Sequence, residues 1–260
     1  MRLGSDPEVF LVDPSGKHIS SLGLINADKW NPLQIPDMAK GFTLQEDNVS
    51  LEYGIPPAAS ADEFVAHINA VMEKSKAWIP NLSFSKLSCV VFDKDQMDDP
   101  RAHIFGCEAD YDAWGDPSLD EQGDPKNVNK KPVPPHEFMR SAGGHIHVET
   151  SEPPIEVVQG MDLFLGVPSV LKDKTGGPRR QMYGKRGAYR VKPYGVEYRT
   201  LSNFWIFDEK DIRWVWRQTQ RALANLGGAK FYDKEIEDAI NNGSVAAAEW
   251  LVKECNLELA

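Results

Sequence analysis

The 260-residue chain has little cysteine and no long apolar run. Its three cysteines, Cys89, Cys107 and Cys255, are odd in number and lack C-x-x-C spacing, which argues against a disulfide framework and a zinc or dithiol redox motif. Nowhere do 18 apolar residues follow one another, and the first residues lack the apolar region of a signal peptide. We therefore expect a cytoplasmic protein that is neither secreted nor membrane-spanning.

Two common nucleotide-binding patterns are also absent. The chain contains neither G-x-x-x-x-G-K-[ST] nor G-x-G-x-x-G, so a bound nucleotide would be held without either glycine-rich phosphate loop. A net charge of −10 argues against general nucleic-acid binding, because such proteins need a basic surface.

Positive charge is nevertheless concentrated in one segment. Residues 172–199 contain nine Lys or Arg against two acids, which is formally +7. Guanidinium groups bind carboxylate or phosphate oxygens in pairs, and the glycines of this segment permit close approach to a ligand. Residues 196–201 alternate as in a strand and put Glu197 and Arg199 on one face. The pattern favours a site for an anion and a cation together, with a solvated basic loop as the alternative.

Carboxylates occur early in the chain on predicted strands. Asp6 and Glu8 lie two residues apart in the first strand of a predicted hairpin, and so share a face. Glu52 is the acid in an otherwise apolar strand over residues 49–55. Adjacent carboxylates repel each other and are commonly stabilised by a cation. The spacing indicates a divalent-metal site or, alternatively, an acidic surface edge.

Two histidines and an acid alternate directly after a Gly-Gly pair. In a strand, His145, His147 and Glu149 face one way, while Ile146 and Val148 pack on the other side. Three potential metal or phosphate ligands in a row indicate a binding site, and a pair of core histidines is the alternative.

The other segments predict a mixture of helices and strands. A capping box at residues 60–63 begins a helix that extends to about Trp78, and residues 87–92 form an apolar strand. Residues 156–171 are predicted as a helix that Pro168 kinks or interrupts. Three further helices are predicted towards the end of the chain, over 208–226, 233–241 and 244–255.

Two segments are predicted to be irregular. Residues 22–47 are predicted as a long loop, and residues 115–135 as a mobile loop or lid that is rich in Asp, Gly, Pro and Lys. Between them, Glu108 and Asp110 belong to an acidic run whose role, a further ligand edge or an acidic turn, stays open.

Together these residues suit phosphoryl transfer. Carboxylate ligands favour Mg²⁺ or Mn²⁺ over zinc, and nearby arginines neutralise the phosphates of a nucleotide such as ATP. Transfer of a phosphoryl group requires this arrangement, because charge on the transferred and leaving groups must be neutralised.

Five motifs resemble those of the phage carboxylate-amine ligase family, type 2, which is related to glutamine synthetase and glutamate-cysteine ligase. They are G-S-D-P-E-V-F-L-V at 4–12, L-E-Y-G-I-P-P-A at 51–58, F-G-C-E-A-D-Y-D-A-W at 105–114, A-G-G-H-I-H-V at 142–148 and Y-G-K-R-G-A-Y-R-V-K-P-Y-G-V-E-Y-R-T-L-S-N-F-W at 183–205. The resemblance implies an ATP-dependent amidoligase that forms an amide or isopeptide bond through an acyl phosphate, releasing ADP and phosphate.

The resemblance also implies a fold and a setting. We expect an α+β fold with a glutamine synthetase-like curved antiparallel β-sheet, helices packed on its convex face and the active site on its concave face. Residues 1–260 are expected to form one catalytic domain, encoded by a phage and acting in the cytoplasm of the infected cell. The substrate with the carboxylate or amine is expected to be a small molecule, a peptide or a modified nucleobase, and the oligomeric state stays open.

Residue roles follow from the matching motif positions. The expected metal ligands are Asp6, Glu8, Glu52, His145 and Glu197. The expected nucleotide-binding residues are His147, Arg179, Arg180, Arg186 and Arg190. Arg199, Arg190 and Glu197 are expected to act in catalysis. The motifs do not separate the arginines that bind ATP from those that bind the other substrate, nor do they identify a base for the amine.

Three other functions compete with this interpretation. A guanidino-kinase-like phosphotransferase shares the arginine-clamped nucleotide, but the chain offers no candidate reactive cysteine beside the site. A non-catalytic binding or structural protein, whose acidic and basic clusters pair with each other, would bind no metal nucleotide. A metal hydrolase that uses His145 and His147 is the weaker alternative, because hydrolysis needs fewer carboxylates and arginines than the chain supplies.

Overall fold

The computed structural model describes residues 1–104 and 110–259. Two of the residues considered above, Cys107 and Glu108, lie outside this described part. The strands are β1 (Arg2–Ser5), β2 (Glu8–Val12), β3 (His18–Ile19), β4 (Leu33–Gln34), β5 (Thr43–Asp47), β6 (Ser50–Gly54), β7 (Ser83–Ser85), β8 (Cys89–Val91), β9 (Tyr111–Asp112), β10 (Met139–Ser141), β11 (Ile146–Glu149), β12 (Ala188–Lys192) and β13 (Gly195–Tyr198). The α-helices are α1 (Ala61–Ser75), α2 (Pro154–Met161), α3 (Val167–Lys172), α4 (Gly177–Arg180), α5 (Glu209–Ala224), α6 (Asp233–Asn241) and α7 (Val245–Glu254).

The described strands pair antiparallel throughout. One sheet has the order β1-β11-β13-β12-β9, a second has the order β3-β2-β6-β5-β4 with β7 also on β2, and β8 pairs with β10. The fold is therefore mixed, with a strongly curled, half-barrel antiparallel sheet, which agrees with the expected α+β class.

The two larger sheets are joined along β1 and β2, which the chain links through Asp6 and Pro7. The backbone that follows β6 continues beside β1, since Ile55 donates from its N–H to Ser5 and Leu3 exchanges both backbone hydrogen bonds with Ala58. Both sheets thus meet at Asp6-Pro7, and a side chain at this seam reaches groups from both.

Helices cover the apolar face of the β11-β13-β12 region. Helix α2 packs against β12 and β13, and α1 packs against α5. Phe64 of α1 stacks on Trp205, with ring centroids 5.7 Å apart and planes at 16°, and both side chains are fully buried. Burying each such side chain contributes roughly 1.5–3 kcal/mol.

A buried carboxylate ties the helical layer to the sheet. Asp162 accepts hydrogen bonds from Trp114 Nε1 at 2.7 Å, Gly187 N at 2.6 Å and Tyr198 Oη at 2.8 Å. Burial raises the pKa of Asp162 to about 7, although these hydrogen bonds act to lower it. These hydrogen bonds hold the loop that precedes β12 from the side of the helices. The opposite face of β12 is therefore available for a site.

The helix over residues 154–172 contains a π-helical turn at Asp162–Gly166, immediately before Pro168. Proline has no N–H for the regular ladder, and the Val167 N–H accordingly reaches back to the Asp162 carbonyl. The segment Pro154–Lys172 is long and apolar enough by composition to cross a membrane, but 78% of its window is buried inside the structure. It packs as an internal helix of this fold.

Most predicted elements are confirmed, and two predictions are wrong. Residues 22–47 were expected to be one long loop, but β5 occupies Thr43–Asp47 and β4 occupies Leu33–Gln34. Asp6 was expected to lie in the same strand as Glu8, but β2 begins at Glu8 and Asp6 lies in the connection from β1. Residues 43–47 alternate as in a strand, but the residues on the face of Glu52 are polar or charged.

Candidate active site

Three ligand-type side chains converge where the two sheets meet. Asp6 lies at the seam, and His147 of β11 is the direct partner of Glu197 on β13. One ligand atom from each residue lies within 4.8 Å of the other two, and Asp6 Oδ1 is 3.2 Å from His147 Nε2. We call Asp6, His147 and Glu197 the triad. Its arrangement fits one cation held by two carboxylates and an imidazole.

His145 lies beside the triad. Its Nδ1 is 3.3 Å from Asp6 Oδ1 and 3.8 Å from Glu197 Oε1. The preceding Gly143 leaves room for the ring, because a Cβ there would lie 2.5 Å from His145 Nε2. Gly144 is equally constrained, since its Cβ would lie 2.4 Å from Trp205 Nε1. The Gly-Gly pair therefore lets the chain pass between the core and the site.

The electrostatics of the triad keep its carboxylates ionised. Burial acts to raise the pKa of Asp6, but His147 and His145 outweigh it and hold that pKa well below its usual value. Burial and Asp6 act to raise the pKa of Glu197, but Arg199 and the two histidines lower it to about 2. Burial, with Arg199, lowers the pKa of His145 to about 4, whereas the pKa of His147 is raised because Asp6 outweighs its burial. The histidines and Arg199 thus favour the ionised form of both carboxylates of the triad.

Cationic side chains surround Glu197, which is fully buried. Arg199 donates from Nη1 to Glu197 Oε1 and from Nε to Asp110 Oδ2 at 3.2 Å. Arg190 Nη1 lies 3.4 Å from Glu197 Oε1, and Lys192 Nζ lies 2.7 Å from Glu197 Oε2. Such a row of donors suits the oxygens of a phosphate or a carboxylate.

A second group of carboxylates lies on the neighbouring sheet. Glu8 and Glu52 are direct partners on β2 and β6, and Asp47 ends β5. Burial and Asp47 raise the pKa of Glu8 to about 7, while burial and Asp6 raise that of Glu52 well above its usual value. Burial raises the pKa of Asp47 as well. In this group, unlike the triad, the pKa values of all three carboxyl groups are raised, and a bound cation would act to lower them.

Specific hydrogen bonds hold this second group in place. Glu8 Oε2 accepts from the Gly143 N–H at 2.7 Å, and Glu52 Oε2 accepts from Gln45 Nε2 at 2.5 Å. Asn203 Nδ2 donates to the Glu8 carbonyl at 2.8 Å. The strand that carries the histidines and the strand that carries Glu8 are therefore locked together.

A small cavity of about 50 Å³ opens beside Glu8 and Asp47 of the second group and reaches His145 and Arg199. Its charged and titratable lining includes Glu8, Asp47, His145, Arg179 and Arg199, and both polar and apolar side chains supply the rest. Arg179 is almost fully buried and donates from Nη2 to the Arg199 carbonyl at 2.9 Å.

Two of the expected nucleotide-binding arginines lie elsewhere. Arg186 pairs with Asp233 and Glu237 of α6, and its guanidinium lies 4.8 Å from the centre of the Trp114 ring. Arg180 donates to the Asp173 carbonyl at 3.3 Å and is buried at the end of α4. The structure thus gathers Arg179, Arg190 and Arg199 at the site and gives Arg180 and Arg186 contacts within the helical part.

Sequence reasoning missed Asp47, Lys192 and Tyr194, all of which contact the site. Asp47 fell in a segment predicted as a loop, and Lys192 was counted only as part of the basic segment. Alternation along T-L-Q-E-D would have placed Asp47 on the same face as Glu52. Alternation along A-Y-R-V-K would likewise have placed Lys192 on the same face as Glu197. For Tyr194, no pattern in the sequence marks the contact with His147. The open question about Asp110 has a structural answer in its ion pair with Arg199, while Glu108 lies outside the described residues.

A family model described as phage phiEco32-like COOH.NH2 ligase-type 2 matches residues 133–253. The resemblance to this ligase family is confirmed. The COOH.NH2 ligase match includes His145, His147, Arg199 and both strands of the β12–β13 hairpin, whereas Asp6, Glu8 and Glu52 precede it. No curated protein matches the chain. The name of the family describes ligases that join a carboxylate to an amine, and this supports a ligase enzyme.

Proposed function

We propose that this protein is an ATP- and Mg²⁺-dependent carboxylate-amine ligase of the glutamine synthetase-like type. The observation that carries the proposal is the triad: Asp6, His147 and Glu197 bring ligand atoms within 4.8 Å of one another amid arginines. The family match supports the ligase class. Metal, nucleotide and substrate would meet where the two sheets join.

The residues present fit a divalent cation. Asp6 Oδ1 and His147 Nε2 are buried atoms that lie 3.2 Å apart, so two ligand-type atoms already face each other in the triad. Two carboxylates and an imidazole suit Mn²⁺ or Mg²⁺, and Glu8 and Glu52 would hold a second cation. When bound, such ions neutralise phosphate oxygens and orient the transferred group.

The proposed reaction has two steps. A carboxylate oxygen of the substrate attacks the γ-phosphorus of ATP, the bond to the β,γ-bridging oxygen breaks, and ADP leaves. The amine nitrogen then attacks the carbonyl carbon of the acyl phosphate, phosphate leaves, and the amine gives up a proton. No covalent bond to the protein is required in either step.

The chain's own groups would contribute positioning and charge. Arg190, Lys192 and Arg199 surround Glu197 and would neutralise the phosphate charge of a bound nucleotide, while Arg179 lines the cavity beside Arg199. Fixed donors in a buried site stabilise such charge more strongly than water does. Arg199 is the residue we expect to contact the transferred group most directly, because it also fixes Glu197.

The setting of the enzyme is part of the proposal. We expect residues 1–260 to act as one catalytic domain in the cytoplasm of a phage-infected cell, with residues 115–135 as a lid. Its substrate would be a small molecule, a peptide or a modified nucleobase with a carboxylate or an amine.

Calorimetric titration with MgCl₂ and ATP tests the proposal. Wild type should bind ATP only when Mg²⁺ or Mn²⁺ is present, and Glu197→Gln should lose this binding. Glu249→Gln, which removes an exposed glutamate of α7, is the matched control and should bind as wild type does. Absence of metal-dependent ATP binding in the wild type would refute the ligase proposal. Binding that persists unchanged in Glu197→Gln would refute the role of the triad.

A further inference from the structure

A tyrosine outside the triad contacts the side of His147 that faces away from Asp6. Tyr194 Oη lies 2.5 Å from His147 Nδ1, and the two ring planes meet at 20° with centroids 5.9 Å apart. His147 Nε2 points the other way, to within 3.2 Å of Asp6 Oδ1. The two ring nitrogens of His147 therefore face two different partners.

The backbone holds Tyr194 in this position. Pro193 and Tyr194 form the turn between the paired residues Lys192 and Gly195, and proline at the first position of a turn fixes its φ. Gly195 has φ +146°, and a Cβ there would lie 2.3 Å from the Val148 carbonyl, so the turn is pressed against β11. The Tyr194 carbonyl accepts from the Thr150 N–H at 3.0 Å. The ring thus lies over β11 at His147 rather than extending freely into solvent.

The contact decides which nitrogen is available as a ligand. A neutral imidazole has one N–H and one lone pair, and the hydrogen bond of one nitrogen fixes the role of the other. If Nδ1–H donates to the phenol oxygen, the Nε2 lone pair faces Asp6 and Glu197. Partners of this kind on metal-ligating histidines also fix the ring orientation and make the ligand more basic.

We propose that Tyr194 is a positioning residue for the metal site: its phenol oxygen accepts the Nδ1–H of His147 and so directs the Nε2 lone pair to a divalent cation held by the triad. This inference rests on the proposed function, since it requires that the triad binds a cation. Tyr194 itself is 41% exposed and contributes no ligand atom. Its effect reaches the cation only through His147.

Mn²⁺ affinity, measured by calorimetry on the full chain without nucleotide, tests this role. Tyr194→Phe keeps the ring and removes only the oxygen, and we expect it to weaken Mn²⁺ binding roughly 10- to 100-fold. Tyr194→Leu should weaken binding by about the same factor as Tyr194→Phe if the oxygen is what matters. Tyr232→Phe, at the tyrosine that packs against Trp250, is the control and should bind as wild type does. Circular dichroism and thermal unfolding should show that all variants are folded.

A second measurement needs no variant. In ¹⁵N-histidine NMR spectra of the Mg²⁺-saturated wild type, His147 should carry its proton on Nδ1. A proton on Nε2 would overturn the inference. Unchanged Mn²⁺ affinity in Tyr194→Phe would also overturn it, even if Tyr194→Leu weakened binding. Both of these results leave the ligase proposal standing. Wild-type protein that binds no Mn²⁺ would instead overturn the metal site and this inference together.

Discussion

Glu8 and Glu52 lie directly opposite each other across β2 and β6, so that two half-buried carboxyl groups project from one place on the sheet. Like charges at directly opposite positions destabilise an antiparallel pair. The sheet nevertheless contains both carboxyl groups, with Asp47 nearby. Such an arrangement is typical of a binding site, where ligand binding is favoured at the expense of stability.

Replacing one of these two carboxylates should stabilise the cation-free protein. For Glu52→Gln we expect the free energy of unfolding to rise by about 1 kcal/mol, or roughly 2–4 °C in Tm, because the neutral amide removes a carboxyl group whose pKa burial and Asp6 raise in the folded protein. Mn²⁺ binding should weaken at the same time. Thermal unfolding with and without Mn²⁺ checks both effects, and Glu249→Gln serves as an exposed control. A lower Tm in cation-free Glu52→Gln would contradict the expectation.

Lys192 should compete with a bound cation for Glu197. Its ammonium nitrogen lies 2.7 Å from Glu197 Oε2, so a divalent ion at that oxygen must displace it. Lys192→Met should therefore raise the affinity for Mn²⁺ alone several-fold and lower the affinity for ATP in saturating Mn²⁺, since one positive charge near the phosphates is lost. Calorimetry measures both, with Lys174→Met as an exposed control in the same basic segment. A change of both affinities in the same direction would argue against this competition.

Arg199 should not be replaceable by lysine. Its guanidinium joins Asp110 to Glu197, and a single ammonium group cannot bridge the two in the same way. We expect Arg199→Lys to lower the free energy of unfolding by about 2 kcal/mol and ADP release by at least about 100-fold. Asp110→Asn should lower the free energy of unfolding by part of the same amount. The double variant should lose less unfolding free energy than the two single variants lose in sum. Arg217→Lys, at an exposed arginine of α5, is the control.

Asp162 should make stability depend on pH. Its pKa in the folded protein is raised to about 7, mainly by burial, above the ordinary value of 3.8. The folded state therefore holds the proton more tightly than the unfolded state, and its contribution, complete below about pH 4, is lost as pH rises towards 7. Between pH 4 and pH 8 the free energy of unfolding of wild type should fall by on the order of 2 kcal/mol more than that of Asp162→Asn. Parallel pH profiles from urea unfolding would contradict this.

Local patterns in the sequence were enough to predict the elements that carry the histidines and the late acid. Alternation along H-I-H-V-E and V-E-Y-R placed His145 with His147, and Glu197 with Arg199, on shared faces, and the structure shows the same faces. The pairing of strands was not predictable in this way. That Glu8 faces Glu52, or that His147 faces Glu197, depends on register between segments far apart in the chain, and an alternating pattern fixes only which face a residue occupies.

The arginines show a second limit of the same kind. Arg186 and Arg190 lie four residues apart in one basic segment, yet Arg186 binds acids of α6 and Arg190 lies beside Glu197. Gly187, with φ +74°, reverses the chain between them, and a Cβ there would lie 2.4 Å from Asp112 Oδ1. The position of that turn depends on tertiary contacts with Trp114 and Asp162, which composition does not reveal.

The passage of the chain from one sheet to the other at Asp6-Pro7 also bears on how the protein can be divided. The triad draws one member from this crossing and two from the β11–β13 pair, while Glu8 and Glu52 come from the adjoining sheet. A cut that separated the two sheets would divide the ligands between fragments, so neither fragment would retain a complete cation site. Fragment complementation should consequently restore cation binding only when both fragments are present. New substrate preferences should arise more readily by changes in the loops around the cavity than by exchange of either sheet.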